Sequence, residues 1–410
     1  MVVKPRPAPA AATSAALPAG WRTVRFGEVV RNANEQEPDP LEASIERYVG
    51  LEHLDPGSLH IKRWGLVGQG TTFTRKFSKG QVLFPKRRVY QCKVAVAEFA
   101  GVCSGDILVL EANSDHLLPD LLPFIAESDA FFEHALQTSA GSLSPRTRWK
   151  DLARYEFSLP PKEEQRRIAE ILWAADQTVQ ALDKVWQEVS ALLAAARCGV
   201  FGRLLRHEKG LAFGSICRGS TQNGLSVPKD DRLGTIGMVN MGELFASEVI
   251  HLDGLEKVTL SENQCARFLL RPGDLLFARR SIVLEGAGKC SMVPELDAPT
   301  TFESSIIRAT LDSDVALPRF YLHFFNSGPG KEGLRRITRP GAVAGVAGSD
   351  IRKIEVPLPP LATQVAVVGS LDAIQRRLGE VEAHRARALS LLAATRETLI
   401  GEQSRHRTSV

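Results

Sequence analysis

Two stretches 199 residues apart spell nearly the same phrase: "FSLPPKEEQRRIAEIL" from Phe157 and "VPLPPLATQVAVVGSL" from Val356. An internal repeat constrains a fold more than any local propensity, because each copy must find the same structure. Holding the 199-residue offset, 151–197 and 350–396 agree at thirteen of 47 positions without a gap: Asp151, Glu156, Leu159, Pro160, Pro161, Gln165, Leu172, Ala174, Leu192, Leu193, Ala194, Ala195 and Arg197 all recur. Chance would give about three. Further upstream, Leu118-Pro119 recurs at Leu317-Pro318, and "GQVLFPKRR" from Gly80 resembles "GDLLFARRS" from Gly273 at an offset of 193. The chain is therefore expected to be α+β: two tandem pseudo-symmetric repeats, each a globular part followed by a long helix.

The helical parts have their own grammar. After Pro161, apolar or small residues fall at Ile168, Leu172, Ala175, Val179, Leu182, Trp186, Val189, Leu193, Ala196 and Val200, in steps of four and three. That is a heptad seam. Its echo is Val367, Leu371, Ile374, Leu378, Val381, Arg385, Ala388, Leu392, Thr395 and Leu399, with Arg385 and Thr395 as polar interruptions. Proline is tolerated at a helix start, and Glu163 and Glu164 suit the positive end of the dipole. Gly369 weakens the second helix by about 1 kcal/mol relative to alanine. A helix of roughly 40 residues is about 60 Å long, and such a seam must be covered. The two helices are expected to pair antiparallel as a coiled coil; the alternative is that each caps its own globular part.

The expected boundaries are a disordered Pro/Ala-rich tail over 1–16, a first globular domain over 17–161, a spacer helix over 162–207, a second globular domain over 208–360, and a second helix with the C-terminal tail over 361–410. Both globular parts show short β-like runs broken by Gly, Asn, Asp and Pro, then a helical stretch.

Composition narrows the function. The net charge is only +4, so a nucleic-acid site must be a local basic patch. Lys86-Arg87-Arg88 and Arg279-Arg280 occupy equivalent places in the two copies. Arg146, Arg148 and Lys150 surround Trp149 ahead of the first helix, and Arg335, Arg336 and Arg339 occupy a similar place in the second copy. One such cluster is usually a solvated face; recurrence favours phosphate binding. Thr221, Gln222 and Asn223 are candidates for reading base edges.

Other chemistry is missing. The six cysteines show no zinc spacing, and no P-loop, G-x-G-x-x-G, H-E-x-x-H or G-x-S-x-G motif occurs. Neither Pro-Pro pair is preceded by Asp or Asn and followed by an aromatic residue, as an amino-methyltransferase would require. No catalytic residue, cofactor or metal is therefore expected. With no apolar run long enough for a membrane span, the expected location is the cytoplasm.

The chain resembles the DNA-specificity subunits of type I restriction–modification systems over roughly 17–400. The resemblance is carried by "LPAGWRTVRFGEV" from Leu17, "FSKGQVLFPKRRVY" from Phe77, and the junctions "DLARYEFSLPPKEEQRRIAEIL" and "DIRKIEVPLPPLATQVAVVGSL". Gln81 stands where the family usually has Asp, and Thr363 precedes Gln364 where Glu is usual. The resemblance implies that each globular part is a target-recognition domain for one half of a bipartite site on double-stranded DNA. It also implies that the helix pair sets the gap between half-sites, through a seam including Ile168, Leu172, Val179, Leu182, Val189, Leu193, Val367, Leu371, Ile374, Leu378, Val381 and Leu392. Expected partners are two methyltransferase subunits, which methylate adenine using S-adenosylmethionine, and restriction/translocase subunits. The chain itself would be non-catalytic. The alternative is a coiled-coil scaffold whose globular ends bind proteins.

Overall fold

The computed structural model describes residues 17–141, 144–207, 210–228 and 234–401; the tail expected over 1–16 and the last nine residues lie outside that range. The chain divides into two compact units. One comprises residues up to Leu182 together with those from His384 onward; the other is Asp183–Ala383. The unit boundaries fall inside the two long helices.

In the first unit, an antiparallel sheet runs in the order Val30–Asn32, Ile107–Ala112, Val82–Pro85, Ala95–Val96. Side chains on a strand alternate between faces. Leu83 and Val109 accordingly pack into one core with Val49, Phe77 and Ile107, while Val82, Phe84 and Leu110 pack into another with Phe26, Phe131 and Phe157. A second sheet orders Gly65–Leu66, Arg47–Val49, Gly101–Cys103 and Arg75–Phe77, with the middle pair parallel. Strand Arg22–Arg25 pairs with Glu156–Leu159, which leads into the first junction.

The second unit uses the same order for its antiparallel sheet: Gln222–Asn223, Ile306–Ala309, Leu275–Ala278, Cys290–Met292. Leu275 and Phe277 face one core; Leu276 and Ala278 face another. Its second sheet has three strands, Glu256–Val258, Ile236–Val239 and Thr300–Phe302, again with one parallel pair. Leu211–Ala212 pairs with Glu355–Val356. Each unit also has a helix capped by a serine that accepts from the backbone N–H three residues on: Ser128 from Phe131 and Ser327 from Gly330.

The long helices run Lys162–His207 and Leu361–Arg396. In the first unit, Ile168 and Leu172 are buried in a core that also takes Leu392, Leu399 and Ile400. In the second, Leu193 and Leu371 are buried together, with Ala196, Val367, Ile374 and Leu378 against them. Val179 is also buried, and Leu182, Val189 and Val381 are half-buried. Trp186 is the exposed member of the anticipated seam.

The doubled phrase has a physical reason. Gln165, buried, donates from its Nε2 to the carbonyls of His116 and Pro160 at 2.9 Å each, and its Oε1 accepts from Leu118 N at 2.8 Å. Gln364 repeats this with Val315 O, Pro359 O and Leu317 N at 2.9 Å each. One amide thereby satisfies three main-chain groups that burial would otherwise leave unpaired. The Thr363 departure is local: Thr363 is exposed and Gln364 keeps every bond, whereas Glu164 in the first copy pairs with Arg167 at 2.6 Å.

Candidate nucleic-acid interface

In the first unit, Lys86, Arg87 and Arg146 come together although they are about sixty residues apart. A hairpin bridges Ala140 to Arg146, and Arg146 in turn bridges to Arg87. Thr147 N donates to Lys86 O at 2.9 Å and Lys86 N to Asp106 O at 2.9 Å. Asp106 sits among the cations: its Oδ2 lies 3.4 Å from Arg87 Nη1 and 3.2 Å from Arg146 Nη2. Arg87 Nε also donates to Ser144 Oγ at 2.7 Å. Burial, with the nearby charges of Arg75 and Arg146, lowers the Lys86 ammonium below its ordinary range. Arg88 is exposed on a left-handed backbone (φ 57°). Arg148 pairs with Asp151 at 2.9 Å, and Lys150 is exposed.

The second unit builds the same frame from different letters. Arg339 and Gly345 form the hairpin, and Gly345 pairs with Arg280. Val346 N donates to Arg279 O at 3.0 Å, and Arg279 N to Ser305 O at 2.8 Å. Each bond has its counterpart in the first unit, with Ala140 and Arg146 replaced by Arg339 and Gly345, and Asp106 by Ser305. A cavity of about 530 Å³ opens here, lined by Asn223, Arg279, Arg280, Arg339, Pro340 and Val343 among others. Arg279 Nη1 donates to Ser304 O at 3.3 Å; Arg339 pairs with Asp350 at 3.0 Å yet stays largely exposed.

The remaining anticipated residues separate from this groove. Gln222 faces away from Asn223, as strand alternation requires, and its amide oxygen accepts from Arg308. Thr221 packs so closely on Gly348 that a Cβ there would lie 2.4 Å from its hydroxyl. Arg335 and Arg336, on helix Gly328–Ile337, both pair with Glu332, at 2.7 and 3.0 Å, and line two other cavities. Asp106, Ser144, Pro340 and Val343 were not anticipated; the persistence of the 199-residue offset through 140–146 and 339–345 was the signal that could have located the hairpins.

Each unit also encloses a histidine in a charged network at the helices. His60 Nδ1 lies 2.6 Å from Glu98 and Nε2 2.7 Å from Asp176 on the first long helix. With a carboxylate at each ring nitrogen the imidazolium is favoured: its hydrogen bond to Asp176, against the opposing effect of burial and with help from Glu98, raises it to about 9. In the second unit, Arg197 donates to His323 Nδ1 at 3.1 and 2.9 Å, so that nitrogen must be unprotonated, and His323 Nε2 lies 2.8 Å from Asp372. Burial and the Arg197 charge lower His323 to about 4. Arg197 also holds Glu248 at 2.8 and 2.6 Å and Gln375 at 2.9 Å. Its repeat partner, Arg396, holds Glu127 at 2.8 Å in the first unit.

Residues 18–190 match the family model described as the type I restriction modification DNA specificity domain. The match spans the first globular part and most of its helix. The match agrees with the resemblance visible in the sequence. The specificity subunit of the type I restriction enzyme EcoDI from Escherichia coli is 28% identical over 198 residues, covering 44% of this chain and 42% of that protein. The EcoKI specificity subunit from Escherichia coli strain K12 is 27% identical over 236 residues, covering 52% and 49%. The chain thus spans less than half the length of either curated relative. Whole-chain similarity extends to the fold: a type I R-M system chain from a structure of complex assembly and conformational transition aligns at TM-score 0.57 and 19% identity, covering 97% of this chain and 100% of that one. The S subunit of the type I system from M. genitalium aligns at 0.56 and 13% identity, covering 93% and 96%. The matched residues contain the Lys86–Arg87–Arg146 cluster. Among the described residues, no helix is long and apolar enough to cross a membrane.

Proposed function

We propose that this chain is the sequence-specific DNA-binding subunit of a type I restriction–modification complex, and that it catalyses nothing itself. The observation that carries the reading is the twice-built frame: in each unit the same main-chain hydrogen bonds present arginines at a hairpin beside the central sheet. Arginine on a fixed frame suits phosphates and guanine edges. In this reading the two globular parts are tandem repeats, each taking one half of a bipartite double-stranded site. The long helices, paired antiparallel along the heptad seam, set the gap. Burial of Leu193 with Leu371, and of Ile168 and Leu172 beside Leu392, supports that pairing. The exposed helix faces dock two methyltransferase subunits and, in a full complex, restriction/translocase subunits. Thr221, Gln222, Arg335 and Arg336 then support the groove or lie beside it.

Mapping methylated adenines in host DNA with the gene present and deleted tests the reading. A split motif that vanishes on deletion supports it. An unchanged methylation map, or methyl transfer by the purified chain alone, would refute it.

A further inference from the structure

The loop that follows Arg280 departs from its counterpart in the first unit. Val82 pairs with Val96, fourteen residues on, whereas Leu275 pairs with Met292, seventeen on. The second unit therefore has three more residues between the same two strands. They are spent on an apolar tip: Ile282 is 87% exposed, Val283 61% and Leu284 43%. Three consecutive exposed aliphatic residues are costly to hold in water and normally mark contact with something. The tip is held in place: Arg280 and Ser281 pair with Gly345 and Ala344, and Val283 N donates to Ser281 Oγ at 3.1 Å. Val343, the next residue beyond that pairing, is 54% exposed and lines the same groove as Arg279, Arg280 and Asn223.

The surroundings identify the occupant. A protein partner docking on an apolar tip would meet the Arg279 and Arg280 cations at its edge, whereas a nucleic-acid surface supplies the complementary charge. An apolar group among arginine and asparagine matches what a major groove presents. Arginine suits guanine O6 and N7, asparagine suits adenine N6 and N7, and the thymine 5-methyl is the apolar feature of the code. We infer that Ile282 and Val283 are specificity-determining residues of the second globular part, and that they read a thymine 5-methyl group in its half-site. This rests on the DNA-binding reading above.

The test uses the full chain assembled with its methyltransferase subunits and a duplex carrying the mapped half-site. Each thymine is replaced in turn by deoxyuridine, which lacks only the methyl. At one or more positions the wild-type complex should lose about fourfold in affinity, the value of one buried methyl-sized group. Ile282→Ser/Val283→Ser should lose at least as much on thymine DNA and nothing further on the deoxyuridine DNA. Because these side chains are exposed, the variant should melt as the wild type does. Wild-type indifference to every replacement, full deoxyuridine sensitivity in the variant, or a half-site made only of G·C pairs would overturn the inference. So would DNA bending that depends on Ile282 without methyl sensitivity, which would mark a wedge between base steps. If the wild-type complex bound duplex DNA with no salt dependence, the DNA-binding reading itself would fall, a result distinguishable from all of these.

Discussion

The two arginine hairpins share a backbone frame and differ in charge. In the first, Asp106 lies between Arg87 and Arg146 and partly neutralises them; in the second, Ser305 takes that place beside Arg279 and Arg280. The hairpin cation also changes strand, from Arg146 to Arg339. The histidine networks differ as well, though they occupy non-equivalent places: His60 is charged between carboxylates, whereas His323, which stands where the first copy has Phe124, is neutral and accepts from Arg197. A common frame can therefore carry opposite electrostatics, because main-chain bonds define the geometry while side chains define the field.

Four measurements could break or sharpen this contrast. The largest effect is expected at the buried arginines. Arg197→Ala leaves Glu248 without its cation and with the Gln375 amide at 3.0 Å: burial pushes that carboxyl up, but the Arg197 and Gln375 hydrogen bonds hold it below its ordinary range. The loss should be about 3–5 kcal/mol in urea unfolding. Arg396→Ala should cost less, because burial already raises Glu127 toward its neutral form; equal losses would break the contrast. Next, Gln165→Ala and Gln364→Ala should each cost about 1–3 kcal/mol through unpaired main-chain groups. Their geometry is the same, so a large inequality would show that the junctions differ energetically despite it.

Third is pH. His60 is raised, so its stabilisation is complete below about 6.5 and fades as pH rises through about 9. His323 is lowered, so the second unit weakens as pH falls from 6.5 through about 4. Four of the five tryptophans (21, 64, 149 and 173) belong to the first unit. Tryptophan fluorescence should therefore show the first unit losing stability between pH 6.5 and 9, and His60→Asn should flatten that slope. An unchanged slope in the variant would remove His60 from the account. Smallest is the groove itself. Arg280→Ala should reduce the slope of log affinity against log salt by about 0.9. Arg87→Ala should reduce it less, because Asp106 already offsets that charge; Asp106→Asn should bring the two into line.

Much of this was legible in the sequence because the repeat has a rigid cause. Gln165 and Gln364 could be aligned without a gap since each must reach three carbonyl or amide groups at fixed places. The heptad spacing located Leu193 and Leu371 for the same reason: burial tolerates little drift. The arginine hairpins were half legible. "KRR" and "ARRS" aligned Lys86 with Arg279, but the exchange of Ala140/Arg146 for Arg339/Gly345 leaves no shared letter. Arg335 and Arg336 looked like members of the cluster, yet a nearby Glu332 holds them both. The His60 and His323 networks join residues more than a hundred positions apart, and no local pattern announces such contacts.

The hairpins are closed by main-chain bonds between Ala140 and Arg146 and between Arg339 and Gly345. Their side chains are thus released from the work of folding. Positions 140, 146 and 339 can be rewritten like type in a standing frame, while 345 is the cramped slot, since a Cβ there would come within 3.3 Å of the Arg279 carbonyl. A lineage or an engineer could exchange one pattern of side chains for another at those three places and leave the architecture to look after itself.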